Sequence, residues 1–253
     1  MIAVSLQSGS SGNSIYVESG DVRLLFDAGI TGIEAERRLA ACGRDIRLVT
    51  AVIVSHDHSD HVKYAGVYHR KYGLPLHITE PTLRSAKAKT DLGRLNDIAF
   101  FSAGSAIRFG GLSVETYSTP HDGSDGAVFV VSDGQKRLGI LTDLGHVFDG
   151  LQGIIKGLDA VFLESNYDPD MLDSGPYPYF LRKRIKGPGG HISNPEAAEL
   201  LMSGDRLKWA CLAHLSGQNN DPEVALRTHR RILGDSLPLH TAARYTASGI
   251  LSL

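Results

Sequence analysis

The segment Ser55-His-Asp-His-Ser-Asp-His61 places three imidazoles and two carboxylates within six residues. It follows a short apolar, β-branched run, Ala51–Ser55, that reads as a buried strand, and it leads into a helix predicted from about Asp60 to Tyr72. A turn at a strand's end folds back on itself. His56 and His58 can therefore converge on one cation, while Asp60 and His61 face a second from the start of the helix. Neutral imidazole and carboxylate are the ligands that Zn²⁺ and similar divalent ions take. A single His-x-His is most often a solvated polar turn. The density of this pattern, directly after a buried strand, argues for metal instead.

A metal cluster needs more ligands than one turn supplies, and three candidates sit at other strand ends. His121 lies in Ser118-Thr-Pro-His-Asp122, just after the predicted strand Leu112–Tyr117. Asp143 lies in Leu141-Thr-Asp-Leu-Gly145, closing the strand Arg137–Thr142, and His214 in Ala213-His-Leu-Ser216 follows Trp209–Ala213. Each alone reads as a polar cap or turn residue; with the first cluster they complete a ligand set.

Other segments suit an anion. The loop Ser8-Gly-Ser-Ser-Gly-Asn-Ser14 can present backbone N–H groups and hydroxyls, with Ser10, Ser11 and Asn13 as substrate-binding candidates. Ser193, in Gly190-His-Ile-Ser-Asn194, is a fourth. Arg182-Lys-Arg-Ile-Lys186 can track phosphates by charge if it borders the metal site. Arg227, Arg230 and Arg231 read more simply as a solvated helix face.

These residues must be held by a mixed fold. Strands are predicted at Ile2–Leu6, Ser14–Glu18 and Val22–Phe26, then near Leu76–Thr79, Ala99–Phe101, Ala106–Phe109, Leu112–Tyr117, Ala127–Ser132, Arg137–Thr142, Ala160–Glu164 and Trp209–Ala213. Helices are predicted at about Gly32–Ala41, Asp60–Tyr72, Pro178–Lys186, Pro195–Met202 and Pro222–Leu233. Strand clusters interrupted by helices suggest two sheets packed face to face and covered by helices.

The chain has 253 residues, 42% hydrophobic and 21% charged, which excludes disordered, collagen-like and coiled-coil classes. One domain over 1–253 is expected. No apolar run approaches the roughly 18–20 residues of a membrane span. The N-terminus lacks a basic region and a long apolar stretch, so no signal peptide is expected. Cys42 and Cys211 make no disulfide framework and read as packing residues, which points to the cytoplasm. A net charge of −2 does not advertise a basic nucleic-acid module, although a local patch can suffice.

The His-x-His-x-Asp-His motif, with the later His, Asp and His in order, resembles the metallo-β-lactamase superfamily over essentially the whole chain. The resemblance implies an α/β fold, a four-layer αββα sandwich with two divalent metal ions at one edge. By that likeness one metal takes His56, His58 and His121, the other takes Asp60, His61 and His214, and Asp143 bridges them. Glu164 and His191 match a pair that phosphodiesterase members carry beside the metals. Physically, a carboxylate orients such a ring and favours the imidazolium, which can protonate a leaving alkoxide. Asp60 can accept a proton from the attacking water. Within the superfamily the chain is most similar to the bacterial YycJ/WalJ group, through the Ser8–Ser14 loop, Ser55–His61, Glu164–Asp168, Gly175-Pro-Tyr-Pro178, Gly190–Asn194, and His214–Ser216 with Asn219-Asn220. That likeness implies a 5′-to-3′ DNA exonuclease using Zn²⁺ or Mn²⁺, with a role in DNA repair. Two alternatives stand beside it: a hydrolase of a small cyclic phosphodiester (behind it, a thioester), and a non-catalytic metal-containing binding module. A groove bordered by the 182–186 cluster favours the polymer; a closed pocket favours the small substrate.

Overall fold

The computed structural model describes residues 1–253 and contains two seven-stranded sheets. The first holds β1 (Ile2–Gln7), β2 (Ser14–Ser19), β3 (Val22–Phe26), β4 (Ala51–Ile53), β5 (Leu76–Ile78) and β6 (Ile98–Phe100) in sequence order. The second holds β7 (Ala106–Phe109), β8 (Leu112–Ser118), β9 (Ala127–Ser132), β10 (Arg137–Leu141), β11 (Ala160–Glu164), β12 (Trp209–Ala213) and β13 (Leu239–Thr241). The chain then returns to the first sheet, where β14 (Leu251–Ser252) pairs antiparallel with β1.

Strand alternation builds the layers. On β9, Ala127, Phe129 and Val131 face the space between the sheets, while Val128 and Val130 face outward to helices. On β11, Ala160 and Phe162 point in, and Val161 and Leu163 point out. Both faces are apolar because both are covered. The first sheet is covered by α1 (Gly32–Ala41), α3 (Ala65–Tyr72) and α4 (Glu80–Lys89), through Leu39, Tyr68 and Leu83. The second is covered by α5 (Leu151–Lys156), α8 (Asn194–Leu201) and α9 (Pro222–Leu233), through Ile155, Leu200 and Ala225. This is the expected αββα sandwich.

The expected helix from Asp60 to Tyr72 is two pieces, α2 (Ser59–Val62) and α3. The break has a cause. The Asp60 carbonyl accepts from Asn13 N (2.7 Å), the His61 carbonyl accepts from Ala28 N (2.7 Å), and Tyr64 N donates to the Ala28 carbonyl (2.9 Å). Groups that would continue the helix thus tie it to the first sheet. Only glycine permits this approach: a Cβ at Gly29 would lie 1.7 Å from the Asp60 carbonyl oxygen. Two further helices, α6 (Pro169–Ser174) and α7 (Tyr179–Ile185), lie between β11 and α8.

Strands β3 to β6 run parallel, as do β10 to β13. Loops after parallel strands gather on one edge, the general location of sites in open sheets. His56, Asp143, Glu164 and His214 all leave such ends.

Candidate metal centre

Seven side chains from four loops meet at this edge. His56, His58 and His121 offer ligand atoms all within 4.8 Å of one another, and so do Asp60, His61 and His214. Asp143 lies between the two groups. Its Oδ1 is 3.6 Å from His121 Nε2 and 3.5 Å from His214 Nε2, and its Oδ2 is 3.3 Å from His61 Nε2. The structure therefore brings together all seven residues named from the sequence.

Outer partners fix which nitrogen faces inward. His121 Nδ1 donates to the Gly190 carbonyl (2.8 Å) and His61 Nδ1 to Asp27 (2.7 Å), which leaves each Nε2 toward the cluster. Such partners set the tautomer of a metal-binding histidine. Asp27 also accepts from the Ser55 amide (2.8 Å) and hydroxyl (3.0 Å), so one carboxylate braces the motif loop at two points. The Asn166 amide packs against His214 Nδ1 (3.1 Å). Three strand-end residues adopt left-handed backbone: Asp27 (φ 66°), Asp143 (φ 58°) and His214 (φ 54°). That region is sparsely populated for side-chain-bearing residues, and such strain clusters at functional sites.

The donor set fits divalent cations by two observations. His56 Nε2 and Asp143 Oδ2 are fully buried without a hydrogen-bond partner, a costly arrangement that a cation would relieve. The field also favours positive charge. Burial would lower the His61 pKa, but Asp143, Asp27 and Asp60 outweigh it and push it up to about 10. Burial works against ionisation of Asp143, yet His214, His61, His56 and His121 hold it well below the usual carboxylate range. His56 and His58 shift the other way, down, chiefly through burial.

Glu164 and His191 stand beside this set. Glu164 is fully buried and uses both oxygens: Oε1 meets His191 Nδ1 at 2.5 Å and Oε2 accepts from Leu144 N at 2.8 Å. Its carboxylate is committed to orienting the ring. His191 stacks on His214 with ring centroids 5.2 Å apart.

Some residues serve differently from their first reading. The carboxylates of the motif separate: Asp60 faces the cluster, while Asp57 turns away to accept from Ser124 N (2.6 Å), Ser85 Oγ (2.6 Å) and Lys89 Nζ. Asn13 is buried and its Nδ2 reaches Asp60 Oδ2 (3.2 Å) and His61 Nε2 (2.9 Å), so it lies against the ligand atoms themselves. The Ser193 hydroxyl caps α8 and bonds Glu196 Oε2 at 2.5 Å. Ser10 and Ser11 are exposed. Two histidines outside the cluster, His69 and His229, are also buried. Asp27, Asp122 and Asn166 went unnoticed in the sequence; Asp27 carried a signal, since it directly ends a predicted strand as Asp143 does.

The 182–186 cluster does border the centre. Arg184 grips Asp122 through two bonds of 2.7 and 3.0 Å, and Asp122 Oδ1 is 3.4 Å from His58 Nε2. Beyond lies an open groove of about 850 Å³ lined by Tyr179, Phe180, Arg182, Lys183 and Lys186. No helix is long and apolar enough to cross a membrane.

The profile of the metallo-beta-lactamase superfamily matches residues 8–168. A protein of Bacillus anthracis named exodeoxyribonuclease YycJ is 36% identical over 231 residues, covering 90% of this chain and 87% of its own. One of Streptococcus pneumoniae named exodeoxyribonuclease WalJ is 36% identical over 227 residues, covering 88% and 84%. Among solved structures, the metallo-beta-lactamase fold protein YhfI of Bacillus subtilis aligns with a TM-score of 0.76 at 16% identity, covering 98% of this chain and 99% of its own. The chain belongs to the metallo-β-lactamase superfamily.

Proposed function

We propose that this enzyme is a dinuclear metal-dependent phosphodiesterase that degrades DNA from its 5′ end. The observation that carries the reading is the pair of buried Glu164 and half-buried His191 beside the ligand cluster, 2.5 Å apart, with His191 Nδ1 also 3.9 Å from Asp143 Oδ1. His56, His58 and His121 would hold one cation and Asp60, His61 and His214 the other, with Asp143 shared. Bound divalent cations, Zn²⁺ or Mn²⁺, supply Lewis acidity that makes water acidic near neutral pH and offsets charge on phosphoryl oxygens.

The protein's own groups do the rest. Asp60 stays ionised because His61 and His214 outweigh the effect of its burial, so it can accept a hydrogen bond from the attacking water and hold it in position. Glu164 holds His191 Nδ1, which leaves Nε2 free to protonate the leaving oxygen. The groove along α7 supports a polymeric substrate, since it is open and rimmed by cations next to Asp122 and His58. Exposed Tyr179 and Phe180 there offer faces on which bases stack. The names of the YycJ and WalJ relatives support DNA. A small cyclic phosphodiester fits an open groove less well.

The test is an assay on DNA labelled at either end, with Mn²⁺, Zn²⁺ or Mg²⁺. Stepwise release of nucleotides from the 5′ end is expected. Intact DNA, together with turnover of a small cyclic phosphodiester, would overturn the reading.

A further inference from the structure

Across the centre from the α7 groove, the serine-rich loop after β1 meets the chain that crosses from β13 to β14. Arg244, on that crossing segment, donates to the hydroxyls of Ser10 (3.3 Å) and Ser11 (3.4 Å) and to the Leu215 carbonyl. Ser8 N donates to the Ala243 carbonyl (3.0 Å), which fixes the crossing segment against the loop. The shelf is joined to the metal centre at two points. His214 N donates to Ser8 Oγ (2.8 Å), and Asn13, at the far end of the loop, reaches Asp60 and His61.

The guanidinium lies in a slot that the sequence keeps clear. A Cβ at Gly9 would stand 3.3 Å from the guanidinium carbon, and one at Gly217 only 2.9 Å. Arg38, Arg44, Arg137 and Arg184 each have a carboxylate partner; Arg244, like several other arginines of the chain, has none within 4 Å. Its neighbours are hydroxyl and carbonyl oxygens, which leave its charge uncompensated. Because Arg244 donates to the two serines, their own O–H groups remain free to donate elsewhere. The Ser10 and Ser11 amides likewise form no intramolecular bond. A fixed cation, two free hydroxyls and two free amides form an anion site.

Resting on the nuclease reading above, we infer that Arg244, Ser10 and Ser11 bind the terminal 5′-phosphate of the DNA strand. A terminal phosphomonoester carries about −1.5 to −2 charges at pH 7, against −1 for an internal diester, and so gains more from a fixed cation. With the strand's body along α7 and its end on this shelf, the bond to be cut spans the metal centre. The site thereby selects ends over internal positions.

The experiment compares kcat/KM on three oligonucleotides of one sequence, bearing 5′-phosphate, 5′-hydroxyl or 3′-phosphate. Wild type should favour the 5′-phosphate by about ten- to a hundredfold, the scale of charge-assisted hydrogen bonds. R244Q should bring that ratio to about 1, and R244K should restore part of it. The ratio is internal to each variant, so partial misfolding scales both rates and cancels. A wild-type ratio near 1, an R244Q protein that keeps the ratio, or an equal gain from 3′-phosphate would overturn the inference. Wild type that neither binds nor cleaves any of these DNAs would instead refute the nuclease reading, and this inference with it.

Discussion

His61 and His229 are both fully buried, yet their surroundings drive them in opposite directions. His61 sits at the cleft edge among Asp27, Asp60 and Asp143, which overcome burial and raise its pKa to about 10. His229 sits on α9; burial, with only the Ala225 carbonyl as partner at 2.8 Å, depresses its pKa to about 4. One imidazole is set in a field that attracts cations, the other in a layer that rejects charge. A buried histidine is therefore uninformative until its counter-charges are counted. The clustered carboxylates, more than the histidines themselves, distinguish the centre from the core.

Removing cleft groups should break this contrast most severely. His58→Ala should abolish turnover with loss of bound metal, checked by metal analysis beside the nuclease assay. His191→Ala should keep its metal and slow cleavage of an unactivated phosphodiester by about 10²–10⁴-fold, the contribution of a general acid. Full rate in that variant would remove His191 from the chemistry.

Asp27→Asn sharpens the comparison, because it withdraws one carboxylate from His61 without replacing a proposed ligand. Outer-sphere partners of this kind are worth about 10–100-fold in metal affinity or activity. A competitive chelator titration reads that loss, and unchanged affinity would show that Asp27 serves only the fold.

The effect in the helical layer is read in stability rather than in metal affinity or turnover. Native His229 stays neutral down to about pH 4, whereas the unfolded chain takes up a proton near pH 6.5. The unfolded state binds more protons in that window, so stability falls as pH drops from 6.5 toward 4, by roughly 3 kcal/mol at most. His229→Leu should flatten this dependence in denaturant titrations at pH 8 and 5. An equal acid sensitivity in the variant would place the protonation elsewhere.

The ligands were legible in the sequence because the chemistry is concentrated there. Four of the seven lie in one turn, and the other three each close a strand whose alternation was readable. The strands were clear for the same reason: buried runs such as Val128–Val131 admit little else. Short elements were not. Strands β13 and β14 have three and two residues, too few for a pattern. Helix α4 was missed although Thr79 and Pro81 mark its start, because strand-like Leu76–Thr79 ran into it. The split between α2 and α3 depends on carbonyls taken by Asn13 and Ala28, a long-range competition that no local pattern encodes. Asp27 and Arg244 act through partners distant in the chain, so their roles emerge only with the fold.

The most direct test of the account is the metal content of the folded protein and of its Asp143→Ala variant, measured by elemental analysis alongside anomalous diffraction. Two cations per chain, one amid His56, His58 and His121 and one amid Asp60, His61 and His214, are predicted for wild type, with fewer than two in the variant. A wild-type protein that holds a single ion or none at saturating metal, or an Asp143→Ala protein that keeps both, would contradict it.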